Sequence, residues 1–126
     1  MHDLSLRLLW SAIGLFLLIT IIYLSLTHSP PTADVPGFDK IGHFAGYLSL
    51  MLWYAWLYQR RWHSPLALAF ILLGVAMEYV QAATGYRHFE YADMLADGAG
   101  VLVGWLLGGT RLAGALQALE RRWLGP

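Results

Sequence analysis

The 126-residue sequence contains no cysteine. That absence excludes a disulfide frame, a thiolate nucleophile and a cysteine zinc site. Charge is scarce as well: Asp, Glu, Lys and Arg together make 13% of the chain, against roughly 25% in a soluble domain. A globule of this size cannot be coated with so few ions. Acids and bases number 8 each, giving a formal net charge of zero, so no basic field points to nucleic acid. Internal repeats and low-complexity tracts are missing, and 14% aromatics among 58% hydrophobic residues exclude disorder. There is no phosphate loop, no HExxH and no serine-nucleophile motif, so no cofactor is expected. The length suits one domain, read here as residues 1–126.

What is present is apolar sequence in long runs. Residues 8–26 carry no charge over nineteen positions, and at about 1.5 Å per residue they nearly cross a ~30 Å hydrocarbon core. Residues 41–58 form a second run, interrupted by His43. Residues 65–83 form a third, containing Glu78, and residues 92–109 a fourth, containing Asp93 and Asp97. The first run exceeds the length of a signal-peptide core and lacks a clear cleavage site, so it reads as a retained helix. Between the runs lie a Pro- and Gly-bearing loop at 27–40, a tight basic turn at 59–64 and a loop at 84–91; Pro65 suits the first turn of the third helix. In the tail, Leu112, Leu116, Leu119 and Trp123 make one apolar stripe beside Arg111, Arg121 and Arg122, the pattern of a helix lying on anionic lipid. The expected fold is therefore all-α: a polytopic membrane protein with a four-transmembrane-helix bundle and a C-terminal amphipathic interfacial helix over residues 111–124.

Arg7, Arg60, Arg61, Arg111, Arg121 and Arg122 fall on one side of this topology, and Lys40 and Arg87 on the other. Positive charge stays inside, so both termini are expected in the cytoplasm and the 27–40 and 84–91 loops outside. The polar residues then gather at the outer side. Asp39 and His43 share a face of the second helix at i, i+4, with Tyr47 continuing the row. Glu78 and Gln81 share a face at the end of the third, Arg87 and Glu90 lie in the loop, and Asp93 and Asp97 open the fourth.

A charged carboxylate at the bilayer centre costs about 2.5–3.5 kcal/mol on insertion scales. Glu78 and Asp97 should therefore be protonated, or paired with Lys40, Arg87 or His43. Plainer roles exist for most of the others. Asp39 is a favoured N-cap, Asp93 suits the helix dipole, His43 alone fits a hydrogen-bonded interior position, Gln81 fits interhelical glue and Arg87 a solvated loop cation. Ala96, Gly100, Gly104 and Gly108 recur at four-residue intervals, a row that lets helices approach closely. Because Asp93 and Asp97 share that face, the packing face also carries the acids; Gly42 and Gly46 are the expected matching surface.

An Asp-Lys-x-x-His-Phe-x-x-Tyr stretch (Asp39, Lys40, His43, Phe44, Tyr47), a Glu-x-x-Gln pair (Glu78, Gln81), a loop arginine (Arg87) and an Asp-x-x-x-Asp-x-x-Gly-x-x-x-Gly segment (Asp93, Asp97, Gly100, Gly104) follow in order. This set resembles the VanZ-like family of small bacterial membrane proteins over residues 30–109. The family pattern has asparagine where this chain has Asp97, which adds a carboxylate to the cluster. The resemblance implies the bacterial cytoplasmic membrane. It also brings an association with low-level resistance to teicoplanin, a lipid-tailed glycopeptide acting at the outer face of that membrane.

Two functions fit these residues. In the first, an outward polar pocket formed by Asp39, Lys40, His43, Tyr47, Glu78, Gln81, Arg87, Asp93 and Asp97 binds a membrane lipid headgroup, a lipid-linked cell-wall precursor or a lipoglycopeptide. Lys40 and Arg87 would hold its anionic part, and Trp53 and Trp56 its apolar part. In the second, Glu78, Asp93 and His43 are catalytic, in an acid/base or metal-assisted reaction on a lipid or glycan. Both require the same topology: a reporter inserted after Thr32 is expected to be accessible from outside the cell, and cytoplasmic accessibility would overturn it.

Overall fold

The apolar runs fold as helices. A computed structural model describes residues 3–27, 38–86, 88–110 and 114–125; among these, all regular structure is helical. Helix α1 is Arg7–Leu26, α2 Phe38–Leu57, α3 His63–Ala83, α4 Tyr91–Gly108 and α5 Ala115–Leu124, with a 3-10 turn at Arg60–Trp62. The expected boundaries shift by a few residues at most, the largest difference being α5, which opens at Ala115. Asp39 sits inside the first turn of α2 rather than at its cap. Leu112 and Arg111, expected in the tail helix, lie outside the described residues.

The closest packing joins α2 and α4. The buried row of α4 is Asp93, Asp97, Gly100, Val101, Gly104 and Gly108. At Gly100 an added Cβ would collide with the Phe44 carbonyl. At Gly104 it would lie 2.7 Å from the Leu48 carbonyl, and at Gly108 it would run into the Ala55 side chain. Backbone thus rests on backbone, as a small-residue row permits. The α2 face that receives it is Phe44, Leu48, Met51 and Ala55. The expected partners do not supply it: Gly46 faces Ile21 of α1, and Gly42 is exposed.

The helices run alternately up and down, so the molecule has two chemically different ends. At one, His63 Nε2–H donates to the Ala55 and Tyr58 carbonyls at 3.0 Å each, closing the turn between α2 and α3. At the other, Gln81 Nε2 donates to the Ser25 carbonyl at 2.7 Å, tying α3 to the last turn of α1. The apolar core lies between, on Ile21, Tyr47, Leu50, Met51, Ala55, Phe70 and Val101.

Helix α5 docks on protein. Leu116 packs with Leu4, Trp10 and Leu57, and Leu119 adds to that cluster. The Glu120 carboxylate accepts from the Ser5 N–H (2.8 Å), the Leu6 N–H (2.7 Å) and the Trp10 indole (2.6 Å). These are donors at the opening turn of α1, where a helix has no partners of its own and favours an anion. Burial pushes the Glu120 carboxyl up, but the three donors pull it further down, leaving it below its ordinary value. The clamp is therefore complete at neutral pH and is lost as pH falls through that lowered value. Of the expected stripe, Leu116 is buried, whereas Trp123 stays exposed.

Two helical segments, Arg7–Leu26 and Arg60–Ala83, are long and apolar enough to cross a membrane. Helix α1 buries little beyond Trp10, Gly14 and Ile21, and Leu8, Phe16 and Tyr23 lie open on it. Helices α2 and α4 are 20 and 18 residues long, but their Asp, Lys, His and Gly content weakens the apolar run. The glycine contact carries the fold, so Gly100→Ala is expected to destabilise it by about 1–3 kcal/mol through overpacking, seen as a lowered melting temperature in detergent. Unchanged melting would contradict the contact.

Candidate functional site

The first turn of α2, the last turns of α3 and the first turns of α4 meet at one end and bring seven of the nine expected residues together. Lys40 is the hub. Its ammonium donates to Asp39 Oδ2 at 2.8 Å, lies 2.5 Å from Asp93 Oδ1 and pairs with Glu90. An ammonium has three donors, and here it has three carboxylates to receive them. Asp39 and Lys40 precede the apolar run that opens at Ile41. The bond from Lys40 holds the Asp39 carboxyl below its ordinary value. Partial burial works against the Lys40 ammonium, but Asp39, Asp93 and Glu90 outweigh it and raise its pKa.

One turn deeper, His43 is held between two carboxylates of α4. Its Nδ1–H donates to Asp97 Oδ1 at 2.7 Å, and Nε2 faces Asp93 Oδ2 at 3.8 Å. Asp97 fits here because α3 presents Gly74 opposite it: a Cβ at Gly74 would stand 3.0 Å from the Asp97 Cβ. Glu78 of α3 closes the group. Its Oε1 accepts the Glu90 backbone N–H at 2.6 Å, and it interacts electrostatically with Asp93, His43 and Asp97. Glu78 and Asp97 are 1% and 2% exposed. Three buried atoms of this group accept or donate no hydrogen bond: Glu78 Oε2, the Tyr47 hydroxyl and Asp93 Oδ1. Asp93 Oδ1 has the Lys40 ammonium against it, which leaves Glu78 Oε2 and the Tyr47 hydroxyl without a partner, in a setting where such a vacancy costs about 1–3 kcal/mol.

The other expected residues divide differently. Gln81 is buried and spends its amide on Ser25 of α1, the interhelical role. Arg87 lies outside the described residues. Trp53 and Trp56, expected to contact a ligand's apolar part, sit some thirteen or more residues along α2 from Lys40, about 20 Å at the helical rise. There Trp53 donates its indole N–H to the Trp10 carbonyl, 3.1 Å away, and stacks edge-on with Trp56. They belong to the opposite end. The aromatic residues next in sequence to Glu78 and Glu90 are instead Tyr79, Phe89 and Tyr91, whose successive ring centroids lie 5.0 and 4.9 Å apart.

Glu90 and Gly74 are the residues that sequence reading missed. Glu90 was visible only as a loop acid; its double engagement, backbone to Glu78 and side chain to Lys40, depends on the path of the loop. The role of Gly74 depends on the angle at which α3 crosses α4. A metal reading of the site meets Lys40 first. The three carboxylates whose oxygens lie within 4.8 Å of one another are Asp39, Glu90 and Asp93, the same three that the ammonium already joins, and His43 is not among them.

With this geometry in place, comparison with known families becomes decisive. The profile described as VanZ/LLP1 matches residues 4–111. The chain belongs to the VanZ-like family. No curated protein and no solved structure matches it. The match covers helices α1 to α4 of this VanZ-like chain and ends ahead of α5, so the whole carboxylate cluster lies inside the family segment and Glu120 lies beyond it.

Removing the hub cation from the VanZ-like cluster leaves Asp39, Glu90 and Asp93 facing one another. Lys40→Met is expected to cost about 1–3 kcal/mol of stability, and adding Asp39→Asn should recover part of it. Thermal unfolding of the single and double variants measures this coupling; strict additivity would contradict the shared hub.

Proposed function

We propose that this VanZ-like protein crosses the bacterial cytoplasmic membrane four times, with both termini inside, and binds the polar head of an amphiphile at its carboxylate cluster on the outer side. The ligand classes are a membrane lipid headgroup, a lipid-linked cell-wall precursor or a lipoglycopeptide of the teicoplanin kind. The observation that carries the reading is the pair of buried, unpartnered atoms, Glu78 Oε2 and the Tyr47 hydroxyl, set among charged groups that α2, α3 and α4 bring to one depth. A buried polar atom without a partner is uncommon and calls for one; a ligand's polar head supplies it. Ionisable groups within membrane helices mark functional sites by default. The two long apolar helices and the family agree with a membrane setting. In the sequence, six arginines fall in the segments on one side of the expected topology against Lys40 and Arg87 on the other, which supports the orientation.

One observation favours a second reading. His43 is oriented by Asp97 through Nδ1 and turns Nε2 toward Asp93, the arrangement in which an imidazole can exchange a proton with a substrate. Glu78 and Asp93 would then be the acid/base pair of an enzyme acting on a lipid or glycan.

Lipid and precursor co-purified with the wild type, identified by mass spectrometry, test the first reading. Glu78→Gln is expected to lose the retained amphiphile while its helical circular dichroism is unchanged. Retention equal to wild type in both Glu78→Gln and Tyr47→Phe would contradict it. Turnover of a retained lipid that His43→Gln abolishes, with retention intact, would favour the enzyme.

A further inference from the structure

We infer that the amphiphile is recognised through an ammonium group, a positively charged amine on its polar head, and not through its phosphate. This rests on the headgroup reading above and assigns the chemistry of the head.

The first ground is charge. Five carboxylates, Asp39, Glu78, Glu90, Asp93 and Asp97, converge on one ammonium, Lys40, and one imidazole, His43. The described group therefore has a surplus of acceptors and of negative charge, and carboxylates taken out of water need a counter-cation. The second ground is that Lys40 is committed: three carboxylates match its three donors, and a phosphate would have to displace one of them. The third is that Glu78 Oε2 is 1% exposed as a residue and still unpartnered. A carboxylate oxygen can only accept, so what it lacks is a donor, and an ammonium is a donor carrying the complementary charge.

The fourth ground lies on the surface. Tyr79 follows Glu78 in the chain, and Phe89 and Tyr91 flank Glu90. The three rings make a continuous wall with centroid spacings of 5.0 and 4.9 Å, in which Tyr79 and Tyr91 are 61% and 72% exposed. Exposed aromatic faces are the chemistry that holds organic ammonium ions. These faces are carried by the sequence neighbours of Glu78 and Glu90, and tyrosines at the edge of a membrane sit at headgroup depth. A metal ion has no use for the wall. A primary ammonium uses the wall and the acceptors together.

The source of the ammonium is either a lipid such as an ethanolamine phospholipid or a soluble amine, and the probes separate the two. The full chain in detergent micelles is mixed with dioleoyl phosphatidylethanolamine, with its N-acetyl derivative (same phosphate and chains, no ammonium), with dioleoyl phosphatidylglycerol, or with free ethanolamine, and bound species are counted by native mass spectrometry. The ethanolamine lipid is expected to be retained about tenfold over the N-acetyl form and the glycerol lipid. Glu78→Gln should erase the preference. Tyr91→Leu, at an exposed position and with unchanged helical circular dichroism, should reduce it several-fold. Binding of free ethanolamine with no gain from the acyl chains also bears out the ammonium site and makes the ligand a soluble amine. Equal retention of the N-acetyl lipid, or preference for phosphatidylglycerol, overturns the ammonium assignment and leaves the headgroup reading standing. Retention of none of the four probes by folded wild-type protein overturns the ammonium assignment, and the co-purified amphiphile then decides the headgroup reading separately.

Discussion

Two helix backbones in direct contact set the rest of this structure. Because Gly100, Gly104 and Gly108 present no side chain, α4 lies against the Phe44, Leu48 and Ala55 positions of α2. At that separation carboxylates on the first turns of α4 reach groups on the first turns of α2. Asp93 meets Lys40 and Asp97 meets His43 because both acids continue the glycine row, at steps of 4, 3 and 4 residues. A helix that packed on leucines would hold the same residues several ångströms further apart, and the ion pairs would become water-separated contacts. Packing and electrostatics are thus one feature: the small-residue stripe is what makes a buried charge cluster possible, and the cluster gives the stripe a fixed register.

The cluster itself is costly to the fold. Burying ionised groups carries a desolvation penalty that pairing offsets only in part, and a bundle of this size would be more stable with leucine at Glu78. Lys40 offsets some of that penalty by joining Asp39, Glu90 and Asp93, and the Glu90 backbone offsets more by donating to Glu78. What remains uncompensated is local: one Glu78 oxygen and one Tyr47 hydroxyl. At the opposite end the molecule uses its polar groups differently. Glu120 has all its donors supplied by α1 and Trp10, and His63 closes a turn. The carboxylate and the histidine of that end are satisfied, though the Trp56 indole N–H there has no partner; at the other end it is a carboxylate oxygen that goes without.

Much of this was legible in the sequence because helical periodicity places residues on faces without reference to tertiary structure. Asp39 with His43, Glu78 with Gln81 and Asp93 with Asp97 are pairings of that kind, and the glycine spacing announced the packing face. The partner of that face was not legible. Gly42 and Gly46 share the right residue type, yet the groove is formed by Phe44, Leu48 and Ala55, since a crossing angle and not composition decides which side of α2 turns inward. The same holds for Gly74, whose value lies in what stands opposite it. The commitment of Lys40 to three acids escaped sequence reading because Glu90 reaches it through a loop, where no period applies. The tail stripe was read as lipid-facing because amphipathicity does not say whether an apolar face meets lipid or protein; Leu116 meets Trp10 and Leu57.

The contact between α2 and α4 can be measured without touching the polar cluster, and the absence of native cysteine makes the chain suited to it. In a Ser49→Cys/Leu102→Cys variant in native membranes, spin labels at these two exposed positions should give one narrow interspin distance that Gly104→Leu lengthens, since the glycine row holds α4 against α2. A broad distribution, or a distance that Gly104→Leu leaves unchanged, would show that the helices do not lie together on that row and that nothing assembles the cluster.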